Sequence, residues 1–141
     1  MIQIKSAAYG VLECDENQIY QFDQEIPGIP DVKRYGLFPL EDTPFYILHG
    51  LEEEVSFVLL PAQPTMPDYS FELPDEVTYL LEITEPGDLG IMLVVNIVND
   101  ELFVNMAAPI LLSPDALKGC QYIIKDQQLP IRYRLHPKED K

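Results

Sequence analysis

Residues Ile91–Met106 read IMLVVNIVNDELFVNM, and they set the fold class. Ile91 to Val98 is an apolar, β-branched run, far short of the about 18 residues a membrane helix needs. Asn99 and Asp100 both tolerate left-handed backbone, so they fit a tight turn. Leu102, Val104 and Met106 then alternate on the return. A strand, a two-residue turn and a returning strand predict an antiparallel hairpin.

The same grammar extends in both directions. Downstream, Ala107–Leu112 continues as strand past Pro109, which must sit at an edge or a bulge because it has no N–H to give a ladder. Ser113-Pro114-Asp115 reads as the cap and first turn of a very short helix through Leu117, closed by Gly119. Tyr122–Ile124 and Ile131–Leu135 read as further strands. Upstream, VSFVLL at Val55–Leu60 is a continuous apolar run, as a covered central strand requires. Tyr35–Leu40 and Phe45–Leu48 flank the loop Glu41-Asp42-Thr43-Pro44. Ile19–Phe22 is another strand, and Ile2, Ile4 and Val11 form a hairpin about Tyr9-Gly10. One helix start stands out, at Pro74-Asp75-Glu76, where two acids face the positive end of the helix dipole. Val77, Leu80, Leu81 and Thr84 make its buried stripe, and Pro86-Gly87 ends it.

About nine or ten short strands and one short helix make an all-β, mostly antiparallel domain, a small barrel or sandwich. Strands that follow one another without intervening helices exclude a parallel α/β sheet. The 141 residues suit one domain, expected over 1–135, with a mobile tail at 136–141. Thirteen prolines agree with short elements and many turns.

Charge is distributed unevenly. Tyr35–Leu117 holds 15 of the 24 acids and no Lys or Arg, so the whole formal excess of −15 lies there. A field of that sign repels nucleic acid and anionic lipid and attracts basic partners. It also serves simple solubility. No basic and apolar leader opens the chain, and a cytoplasmic location is expected.

Catalytic signals are sparse. His49 ends the apolar run FYIL and reads as a rim or core histidine, while His136 lies in the tail. No serine sits in a nucleophile elbow. Cys14 and Cys120 lack metal spacing and read as two reduced, partly buried thiols. Paired carboxylates arise by chance in so acidic a chain, and no metal or cofactor motif is present. The expectation is therefore a non-enzymatic binder. Tyr69 lies beside Asp68 and Glu72, and Phe45 follows Glu41 and Asp42. Acids interleaved with aromatics suit a basic, partly apolar protein partner. The rings serve equally as core residues at strand ends.

The ordered set of motifs resembles the FliW family of bacterial flagellar assembly factors. The matching pieces are FDQEIPGIP (Phe22–Pro30), LFPLEDTPFYIL (Leu37–Leu48), VSFVLLP (Val55–Pro61), PDYSFELPDEV (Pro67–Val77), VNMAAPILL (Val104–Leu112) and GCQYIIKDQQLPIR (Gly119–Arg132). The chain departs from the family's pattern at Ile29, His49-Gly50, Met106 and Leu129. The resemblance implies a small, mostly β, cytosolic binder without a chemical step. It implies binding to the translational regulator CsrA, which is thereby kept off flagellin mRNA, and binding to flagellin itself, in exchange. Within these motifs Pro27, Gly28, Asn105, Pro109 and Gln121 are expected to hold the fold. Glu41, Asp42, Asp68, Tyr69 and Glu72 are expected, from charge and turn position, to belong to the CsrA face. The free protein is expected to be a monomer.

Other readings are a small-ligand-binding acidic barrel, a flagellin chaperone without a CsrA role, a carboxylate enzyme and an acidic structural subunit. An open apolar cavity lined by strands such as Ile91–Val98 would favour the first.

Overall fold

The computed structural model describes residues 2–7, 9–24, 26, 32–40, 42–51, 54–62, 69, 71–85, 88–125 and 128–135. Its strands are β1 (Ile2–Ser6), β2 (Gly10–Cys14), β3 (Ile19–Gln21), β4 (Arg34–Pro39), β5 (Tyr46–Gly50), β6 (Ser56–Pro61), β7 (Gly90–Val98), β8 (Glu101–Ser113), β9 (Lys118–Gln121) and β10 (Tyr133–Arg134). A 3-10 turn spans Glu16–Gln18, and α1 spans Asp75–Leu80.

The hairpin expected about Asn99-Asp100 forms between β7 and β8, in register Val98↔Glu101 through Val94↔Asn105. Asn99 and Asp100 hold φ of 52° and 66°, the left-handed pair that a tight hairpin turn requires. From β8 the sheet runs β7, β6, β5, β4, β3, and every one of these pairs is antiparallel. β9 pairs antiparallel with β8 and parallel with β3 through Gln21↔Lys118, which closes seven strands into a barrel. β10 lies outside the ring, on the first half of β8 (Tyr133↔Val104).

Alternation along the strands gives each face its own core. Phe22, Tyr35, Leu48, Leu59, Ile110 and Leu112 fill the barrel's interior. The rings of Phe22 and Tyr35 lie 4.9 Å apart, and those of Tyr35 and Phe57 6.3 Å. The space that a ligand-binding barrel would keep open is thus occupied by side chains. The outside is covered in three places. The β1–β2 hairpin packs Ile4 and Cys14 against Phe38 of β4. Helix α1, with Leu81, covers Leu111 and Cys120. Phe45, Tyr69 and Leu135 pack on Leu60, Leu93, Val95 and Val104.

Several expectations need correction. The helix stops at Leu80, because Glu82 adopts φ 56°, a left-handed conformation that no helix continues through. Thr84 is therefore exposed, and Ile83 takes the packed position instead. No helix follows Ser113. Its hydroxyl is buried without a hydrogen-bond partner and so caps nothing. The chain makes one wide turn, with Leu117 N–H donating to Ser113 O at 2.8 Å and Leu117 at φ 56°. The strand expected at Tyr122–Ile124 lies earlier, at Lys118–Gln121, and Gly119 sits inside it rather than ending a helix. A Cβ on Gly119 would stand 2.5 Å from the Phe22 ring, so only glycine fits there. Cys14 and Cys120 are free and fully buried, more so than the composition implied.

Candidate functional site

β8 is one long strand, but its middle is not regular. Met92 pairs with Ile110 and Val94 with Asn105, so Leu93 alone stands opposite the four residues Met106–Pro109. This bulge is where proline is tolerated, and Pro109 lies buried within it. Backbone groups thrown out of the ladder must find other partners. Asn105 Oδ1 accepts from the amides of Ala107 (2.9 Å) and Ala108 (3.2 Å). Gln121 Nε2 donates to Ala108 O at 3.1 Å. The amides of Tyr122 and Ile124 donate to Pro109 O and Ala107 O, and Met106 N–H donates to Pro130 O. Tyr69 Oη donates to Met106 O at 2.5 Å.

The bulge thus gathers Tyr69, Asn105, Pro109 and Gln121, drawn from segments scattered over the sequence. Tyr69 is half-buried, and burial pushes its phenol up to about 12, so the hydroxyl stays protonated and donating. The Tyr69 ring meets Phe71 edge-on at 5.7 Å, and Phe71 stacks on Tyr122 at 5.8 Å. This aromatic row runs over the outer face from the bulge toward α1.

Of the acidic residues singled out from the sequence, Asp42 and Glu72 are among the described residues, and both are exposed. Asp42 is exposed in the β4–β5 turn with φ 65°. Glu72 is exposed beside Phe71. Phe45, which follows the Asp42 turn, and Tyr69 pack on the same outer cluster. One aromatic residue from each of these two segments is thus part of a single outer cluster. Glu41, Asp68, Pro27 and Gly28 lie outside the described residues.

A second polar cluster escaped the sequence reading. His49 is buried, with Nδ1 2.9 Å from Gly50 O; since a carbonyl only accepts, Nδ1 carries the proton. Its Nε2 stands 3.4 Å from Glu54 Oε2. The same Glu54 oxygen accepts from Ala7 N–H (3.1 Å) and Ser6 Oγ (3.2 Å). The Ala7 amide first, then the Ser6 hydroxyl, hold the Glu54 carboxyl below its ordinary value. Glu54 thereby ties the β1–β2 hairpin to the barrel. The only signal in the sequence was a run of three glutamates, which reads as a solvated loop.

The thiols of Cys14 and Cys120 are pushed up by burial, that of Cys120 to about 11, which leaves them neutral. Among the described residues no group of three or more His, Cys, Asp or Glu side chains is placed to hold a metal ion. No helix among them is long and apolar enough to cross a membrane. What the surface offers is an anionic exterior with aromatic rings set into it.

Comparison with known proteins agrees with the motifs. The model of the family described as FliW protein matches residues 3–135. The flagellar assembly factor FliW of Caldicellulosiruptor bescii is 36% identical over 135 residues, covering 94% of this chain and 89% of that protein. The protein of the same name from a Geobacillus species is 31% identical over 141 residues, covering 98% of each. A crystal structure of the flagellar assembly factor FliW superposes with a TM-score of 0.88 at 29% identity, covering 97% of this chain and 99% of that one.

Proposed function

The chain belongs to the FliW family of flagellar assembly factors, and we propose that it acts without chemistry, as a cytoplasmic partner switch. It binds the basic translational regulator CsrA and so relieves repression of flagellin mRNA. Flagellin competes for it, so that free flagellin level is read out as free CsrA. The observation that carries this reading is the charge map. The stretch 35–117 has no Lys or Arg; within it β5 to β8 carry one acid, Glu101, and α1 two, Asp75 and Glu76, so its negative charge is concentrated in the segments that connect the strands. A protein that binds RNA phosphate must be basic, and a partner at −15 is steered to it.

We assign to CsrA the outer surface on which Phe45 and Tyr69 pack, together with the exposed Asp42 and Glu72 of the same segments and, next to them in sequence, Glu41 and Asp68. Asn105, Pro109 and Gln121 serve the fold through the β8 bulge, and the same structural part is proposed for Pro27 and Gly28. The test is the double reversal Asp68→Lys, Glu72→Lys. Association with CsrA is expected to slow about tenfold at low salt, with a flatter salt dependence and an unchanged melting temperature. Unchanged rate and salt dependence would place the face elsewhere.

A further inference from the structure

One side of α1 and the outer side of β9 bound an open groove of about 1170 Å³. This volume is that of a small-ligand site, but the groove is open along its length, as a site for an extended chain segment would be. Four carboxylates line it, Asp23, Asp75, Glu76 and Glu82, against one ammonium, Lys118. That ammonium is already engaged, since Lys118 Nζ donates to Asp23 Oδ2 at 2.8 Å.

Part of this pattern has a structural cause. Asp75 and Glu76 occupy the first turn of α1, where its dipole favours acids. Glu82 has no such reason. It lies past the helix, is exposed and holds a left-handed φ. Tyr79 is equally unexplained. It is 87% exposed, while Val77, Leu80 and Leu81 of the same segment are packed against the barrel. The lining on the β9 side supplies an apolar contact through the half-buried ring of Tyr122.

We propose that this groove is a docking surface for a basic segment of a protein partner, one with apolar residues between its Lys or Arg side chains. The carboxylates receive the cations, and Tyr79 is the ring that the segment covers, in the manner of an arginine stacked on an aromatic face. Charge complementarity selects the occupant. Nucleic acid and a second copy of this chain are both repelled by the same carboxylates. The surface is lined by α1 and β9 and borders the segment of Glu72, since Phe71 stacks on the lining residue Tyr122, and it does not depend on which protein supplies the segment.

The test uses the full chain, isotopically labelled, with two eight-residue peptide probes at about 0.15 M salt, where surface charges are screened beyond about 8 Å. One probe alternates Arg and Leu, the other Arg and Ser. The Arg–Leu probe is expected to give saturable amide shifts concentrated at Tyr79, Glu82 and Tyr122. Its midpoint should be at least tenfold tighter than that of the Arg–Ser probe. Tyr79→Ala, which removes an exposed side chain and leaves the fold intact, should weaken it about tenfold, and so should Glu82→Lys. Equal midpoints for the two probes, shifts spread evenly over the acidic surface, or no saturable shift would each overturn the proposal.

Discussion

At the scale of single residues, two positions show how tertiary placement overrides local character. Gly119 lies in a strand, where glycine is ordinarily a weakness, yet any Cβ there would strike the fully buried ring of Phe22. Gly119→Ala is expected to cost about 1–3 kcal/mol, measured by urea unfolding, because neither Phe22 nor the neighbouring Leu112 has room to yield. Glu54 is the opposite case, a solvated acid that holds two substructures together. Its folded-state value is depressed below the ordinary 4.5, so its contribution is complete above pH 4.5 and is lost as pH falls through the lower folded value. The stability difference between wild type and Glu54→Gln should therefore be greatest above pH 4.5 and narrow below it. Parallel pH profiles for the two proteins would show that Glu54 does not anchor the hairpin.

At the scale of elements, α1 divides its labour between its faces. Leu81, directly after it, is fully buried over Leu111 and Cys120. Leu81→Ala should cost about 2–5 kcal/mol in unfolding experiments, whereas Tyr79→Ala should stay within about 0.5 kcal/mol. Elements were legible where their signals are local. The β7–β8 hairpin follows from alternation plus Asn99-Asp100, and the start of α1 from Pro74-Asp75-Glu76. Its end was misplaced, since Glu82 turns left-handed before the stronger punctuation at Pro86-Gly87 is reached. Ser113 resembled a cap, but packing buries its hydroxyl in the β8 wall. Closure of the barrel was not legible at all. It depends on one parallel pairing, Gln21↔Lys118, between segments almost a hundred positions apart, and no local pattern encodes such a meeting. Of the candidate site, the sequence offers acids interleaved with aromatics between Asp42 and Glu72, and the structure adds that Phe45 and Tyr69 share one outer cluster. Its foundation in the β8 bulge was not legible, because Tyr69, Asn105 and Gln121 are joined only by the fold.

At the scale of the whole molecule, the interior and the exterior do different things. The barrel's inside is filled by aromatic and aliphatic side chains and offers stability alone. The outside carries the −15 charge, the exposed Tyr79 and the acidic turns, the features through which we propose that the protein meets others. An excess charge of this size acts chiefly on association rate, so function should respond to ionic strength while the fold does not. The most direct measurement is titration calorimetry against CsrA from the same organism at low and moderate salt, repeated with flagellin already bound. The account predicts binding that weakens as salt rises and disappears when flagellin occupies the protein. No heat with CsrA, or CsrA binding untouched by flagellin, would contradict it.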